Sequence, residues 1–175
     1  LLDWTESTSK PWAGVINLMD AHTRYHPPEG YNQWASDDEH ALMDNIGNPV
    51  WEFQCEHRPF DELEALEDLY DGCIRYVDDQ LSRLIEEQAA AGELDETLVI
   101  ITADHGECFG EESRVRPDTR LAGHGEAKIH EALLHVPLIV KRPGQEVGER
   151  VERPVSLTRL APAIRRTVEG GIPRE

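Results

Sequence analysis

The stretch Thr97-Leu98-Val99-Ile100-Ile101-Thr102-Ala103-Asp104-His105-Gly106-Glu107 decides how the rest of the chain is read. Its first half is apolar and β-branched, which favours an extended strand, and a nearly unbroken apolar run suits a strand covered on both faces. The run stops at an acid, an imidazole and a glycine. In an open α/β sheet ligands bind at the carboxyl ends of strands, so Asp104 and His105 stand where a binding loop is expected. Taken alone, the same pair also reads as an ordinary turn, with Asp104 capping it and His105 facing solvent.

Upstream lies the clearest helix, Asp61 to Ala91. Leu63, Leu66, Tyr70, Cys73, Val77, Leu81 and Leu84 recur at three- and four-residue steps and form one apolar stripe. Pro59 precedes it and Gly92 follows as a C-terminal cap. At 1.5 Å per residue it would run about 45 Å, unless Gly72 divides or bends it. Asp71, Arg75, Asp78 and Asp79 read as its solvent face or as cap contacts. A helix, a tight turn at residues 93–96 and a buried strand make a crossover, and the expected fold is α/β, a partial doubly wound, mostly parallel sheet flanked by helices.

Downstream, a charged loop leads to Gly123-His124-Gly125-Glu126-Ala127-Lys128. Residues 129–135 read as a short helix or turn, Val136 to Val140 as a strand, and 155–168 as helical, with Pro162 suited to a first turn. Near the start, residues 12–19 read as another short strand, ending in Asp20-Ala21-His22-Thr23-Arg24-Tyr25-His26-Pro27-Pro28. The paired prolines argue against a helix that would set His22 and His26 on one face. Gly30 to Arg58 reads as a polar connection anchored by Trp34, Trp51 and Phe53.

The formal charge of −18, from 35 acidic and 17 basic residues in 175, repels nucleic acid and anionic membrane. Only Lys10, Lys128 and Lys141 are lysines, a balance that fits adaptation to concentrated salt. No apolar run is long enough to cross a bilayer, and no signal peptide is present. That reads as a soluble chain, cytoplasmic as it stands, or exported if a longer parent carries a leader. Cys55, Cys73 and Cys108 have no paired spacing, so neither a disulfide framework nor a zinc ribbon is indicated.

Asp104 and His105 suit a hard or borderline divalent ion, though two ligands do not complete a site. Lys128, a plain surface lysine on the simplest reading, could instead hold an anionic sulfuryl or phosphoryl oxygen as a point charge. His22 and His124 could donate to such oxygens or protonate a leaving alkoxide. No serine elbow, glycine-rich phosphate loop or dinucleotide fingerprint is present, and no nucleophile is evident.

Together these segments resemble the sulfatase family of the alkaline phosphatase superfamily. The likeness is carried by Asn17 to Tyr25, Tyr76 to Leu81, Thr102 to Glu107, Gly123 to Lys128 and Val136 to Val140, in order between about residues 12 and 165. It implies a single partial catalytic domain over residues 1–175, alkaline phosphatase-like in fold. It also implies one divalent cation, calcium with magnesium or manganese as alternatives, with Asp104 and His105 among its ligands. By the same resemblance Lys128 grips the sulfate, His22 reaches the sulfate end of the substrate and His124 lies near the site.

The family nucleophile is a formylglycine hydrate made from a Cys or Ser in a C-x-P-S-R or C-x-A-x-R segment. Neither that segment nor the family's N-terminal aspartate pair occurs in these 175 residues. The expected parent is a sulfuric ester hydrolase acting on a small anionic sulfate ester. Hydrolysis of phosphomonoesters, phosphodiesters or phosphonates is the alternative, and a truncated, inactive remnant or binding module is another. The isolated chain is expected to be inactive.

Overall fold

The computed structural model of the chain describes residues 7–8, 11–54, 58–114, 119–125 and 129–170. Helix α1, Asp37–Asn45, begins at a reciprocal cap: Ser36 Oγ accepts from Glu39 N, and the Glu39 carboxylate accepts from Ser36 N. Helix α2, Pro49–Gln54, follows at once. The segment expected to be a polar connection therefore supplies core, with Met43, Ile46 and Phe53 fully buried. Of the three residues expected to anchor it, Phe53 is fully buried, whereas Trp34 and Trp51 are exposed.

Helix α3, Glu62–Ala90, is the long helix that the apolar stripe indicates. Leu63, Leu66, Leu69 and Cys73 are at most 1% exposed, and burying each leucine stabilises by about 1.5–3 kcal/mol. Arg58 ties its start to helix α2, donating to Glu52 at 2.7 Å and to Glu62 at 2.9 Å. Gly92, at φ 71°, takes the left-handed conformation that ends it. Gly72 does not divide the helix: a Cβ there would lie 2.8 Å from Pro27 Cβ, so the glycine admits the 27–31 segment against the helix.

The strands overturn the expected sheet. Strand β1, Val99–Thr102, pairs antiparallel with β4, Leu138–Lys141, with Val99 opposite Lys141 and Thr102 opposite Leu138. Strand β2, Phe109–Glu112, pairs antiparallel with β3, Arg120–Ala122. These are two separate two-stranded sheets, not a partial doubly wound, mostly parallel, alkaline phosphatase-like sheet.

The reason lies in the connections. A parallel neighbour needs a helical crossover of a dozen or more residues. Between β1 and β4 the described chain carries a hairpin and a single-turn helix, α4 (Glu131–Leu134), so β4 returns in the opposite direction. Residues 12–19, read from sequence as a strand, form none. Val15 there is 99% exposed and Met19 54%, so the apolar run lacks the covered faces that a buried strand requires. Helix α5, Leu160–Val168, carries Pro162 in its first turn, as the sequence suggests.

Alternation along the β2–β3 hairpin joins two clusters. Phe109 and Ala122 pack with Tyr25, Met43, Ile46, Phe53 and the buried face of α3. Cys108 and Leu121 pack with Leu133 of α4. The base of the hairpin thus sits between α3 and α4, and there the histidines of the sequence motifs meet.

Candidate functional site

Two glycines fix that base. Gly123, at φ 65°, follows β3 in a conformation that side chains rarely adopt, and its N–H donates to Cys108 O at 2.7 Å. Gly106 is required for space: a Cβ there would stand 1.9 Å from Ala132 O. Its N–H donates to Leu133 O at 2.9 Å, locking the Asp104–Glu107 segment onto α4. Glu107, just before β2, and His124, just after β3, therefore lie side by side.

Glu107 is a buried carboxylate whose Oε2 accepts from Tyr25 OH at 2.7 Å and faces His124 Nδ1 at 2.8 Å. Tyr25 is 1% exposed and packs among Tyr70 and Phe109, with ring centroids 5.5 and 5.9 Å away. Its hydroxyl accepts from Thr23 Oγ1 at 3.1 Å while donating to Glu107. Burial first, and the Glu107 charge second, push the Tyr25 phenol well above the usual tyrosine range, so it remains a donor. Glu107 Oε1 is buried with no hydrogen-bond partner among the described residues.

Three imidazoles gather at this point. The His124 ring centroid lies 4.8 Å from that of His22 and 4.3 Å from that of His105. His22 Nδ1 is 2.8 Å from Thr23 O, and His105 Nδ1 is 2.8 Å from Gly106 O. A carbonyl only accepts, so in both rings Nδ1 carries the hydrogen and Nε2 is the nitrogen left to meet a ligand. His124 Nδ1 faces not a backbone carbonyl but the Glu107 carboxylate. Residues 22, 105 and 124, picked out separately in the sequence, are thus brought together.

Asp104 Oδ1 accepts from His105 N at 3.0 Å, as a turn cap does, while the side chain is 91% exposed and lies 3.9 Å from His105 Nε2. The carboxylate and imidazole suit a divalent ion as donors, and the tethered Nδ1 of His105 is the usual arrangement behind a ligating Nε2. Among the described residues, however, no group of three or more His, Cys, Asp or Glu is arranged to hold a metal ion. Lys128 and Cys55 lie outside the described residues. Cys73 is buried in the core, where burial pushes its thiol up to about 11, and Cys108 is fully buried, so neither is placed to attack a substrate.

Sequence reasoning missed Tyr25 and Glu107 as members of the site. Their 82-residue separation gives no local pattern. One signal existed for Glu107: with Phe109 directed at the core, the two-residue period places residue 107 on the same face.

Comparison with known proteins gives a family model described as Sulfatase that matches residues 1–169. A protein of Escherichia coli (strain K12) described as an uncharacterized sulfatase, YidJ, is 29% identical over 137 residues, 78% of this chain and 22% of that protein. An ulvan-active sulfatase of Formosa agariphila is 24% identical over 157 residues, 88% of this chain and 28% of that protein. PehA of Trinickia caryophylli, described as a multifunctional alkaline phosphatase superfamily protein, is 30% identical over 84 residues, 48% of this chain and 15% of that protein. The chain thus spans between 15% and 28% of the length of these three relatives. No solved structure matches.

Proposed function

The chain belongs to the sulfatase family, and on that premise we propose that the whole protein is a sulfuric ester hydrolase acting on a small anionic sulfate ester. The observation that carries this reading is the meeting of His22, His105 and His124 with each Nδ1 turned to an acceptor. That leaves three Nε2 atoms for ligand chemistry.

His22 and His124 orient the anion and, when protonated, donate to its oxygens; one of them delivers the proton to the departing alkoxide. Lys128 adds a compact positive charge against the transferred group. Asp104 and His105 are the residues that would hold a divalent cation, calcium first and magnesium or manganese as alternatives, completed by ligands outside the described residues. That cation, when bound, offsets negative charge on the transferred group. The nucleophile, a formylglycine hydrate, would come from a segment outside these 175 residues, and the isolated chain would not turn over substrate.

The described relationship to PehA favours a second reading, hydrolysis of phosphate or phosphonate esters by the same residues. Turnover of matched aryl sulfates and aryl phosphates by the complete protein separates the two. Faster sulfate cleavage is expected; phosphate cleavage faster by orders of magnitude would replace the first reading. No turnover of either ester would mark an inactive remnant.

A further inference from the structure

We propose that Glu107 is the positioning residue of this site: it fixes His124 in the Nδ1–H form and so aims Nε2 at the space shared with His22 and His105. The inference rests on the proposed hydrolase reading for its consequence, but not for its geometry. His22 and His105 need no such residue, because each is held by a backbone carbonyl within one residue of itself. His124 has no such local tether; the partner of its Nδ1 is a side chain 17 residues away.

That side chain is itself held. Glu107 has a side chain only 4% exposed, fixed from one side by Tyr25 OH and from below by the turn that Gly106 locks against α4. An ionised carboxylate can only accept, so both partners must donate to it. Tyr25 is kept a donor by its burial and by the Glu107 charge, which outweigh the opposite pull of the bond that Thr23 donates to its oxygen. Aspartate or glutamate behind an imidazole commonly fixes the tautomer and orientation of the ring. A residue that only filled the core would be apolar, whereas Glu107 keeps a buried oxygen, Oε1, without a partner among the described residues. Burying a carboxylate in that state makes sense where its other oxygen orients a working group.

The test reads tautomers directly, from the ¹⁵N shifts of labelled histidines in the protein as it stands. One pH well above the ordinary histidine range is used, so that protonation plays no part. In the unaltered protein His22, His105 and His124 are all expected as Nδ1–H. In Glu107→Ala, His124 alone is expected to go over to Nε2–H, the form an untethered histidine prefers, while His22 and His105 report that the fold is kept. In Glu107→Gln, whose carbonyl accepts from the same donors, His124 is expected to stay Nδ1–H.

An Nε2–H His124 in the unaltered protein overturns the proposal, whether or not the alanine variant folds. So does a Glu107→Ala protein whose His124 keeps Nδ1–H. In the complete protein with an aryl sulfate, Glu107→Ala is expected to lower kcat by about 10–100-fold with KM little changed, and Glu107→Gln to recover part of it. A loss confined to KM would overturn the positioning role. If the complete protein turns over no sulfate ester, the hydrolase reading fails while the tautomer result still decides what Glu107 does.

Discussion

Gly106→Ala tests the joint between the site and the scaffold. The added Cβ would lie 1.9 Å from Ala132 O and 3.1 Å from Ala132 C, both backbone atoms that cannot swing aside as a side chain tip would. An ordinary carbon–oxygen contact is about 3.3 Å, so the two segments must part by roughly 1.4 Å. That movement pulls apart the Gly106 N–H···O Leu133 bond, now 2.9 Å. Overpacking costs about 1–3 kcal/mol and the lost hydrogen bond about 1 kcal/mol, giving a loss of about 2–4 kcal/mol. In urea, with a slope of about 2 kcal/mol per molar, the unfolding midpoint should fall by roughly 1–2 M. Gly148→Ala is the control, since a Cβ there meets nothing within 4 Å, and it should change the midpoint little. If Gly106→Ala unfolds within about 0.25 M of the unaltered protein, the close approach described at α4 is refuted.

Three further outcomes follow from named groups. The Arg58 guanidinium beside Glu52 holds that carboxyl below its usual range. A depressed acid stabilises above its unfolded pKa and loses that contribution as pH falls through the folded one. Arg58→Gln should therefore cost about 1 kcal/mol at neutral pH, with the gap closing on acidification; a gap unchanged at low pH in urea titrations would contradict the pairing. Burial first, and then nearby acids of α3 together with Glu111 of β2 beside Glu67 and Glu39 of α1 beside Asp68, push Glu67 and Asp68 up, so the sign reverses. Glu67→Gln should raise the thermal midpoint slightly at neutral pH, the advantage shrinking as pH falls or salt rises, and a fixed advantage would refute the repulsion. Finally, a Cys55→Ser chain should release no thiol to Ellman's reagent until it is denatured, because Cys73 and Cys108 are both buried; rapid reaction of the native chain would contradict that burial.

Local chemistry was legible in the sequence; pairing was not. The stripe from Leu63 to Cys73 and the cap at Gly92 announced α3 because both follow from helix geometry alone. Val99 to Thr102 reads correctly as extended, but strand direction depends on the partner, and nothing in Leu138 to Lys141 tells a parallel neighbour from an antiparallel one. The apolar residues 12–19 satisfy a strand pattern while Val15 lies almost fully exposed, since periodicity registers what could be buried and not what covers it.

The site divides in the same way. His22, His105 and His124 stood out because each sits beside turn residues after an apolar run or between glycines, and they converge. Tyr25 and Glu107 give no such signal, because a tyrosine and an acid in a charged chain look ordinary until the fold sets them 2.7 Å apart.

The most direct test is a crystal structure of the complete protein grown with calcium and inorganic sulfate. The expected result is a cation on Asp104 and His105, with a sulfate accepting from Nε2 of His22 or His124 and from Nζ of Lys128. A sulfate bound elsewhere, or Lys128 directed away from the three imidazoles, would contradict a shared anion site.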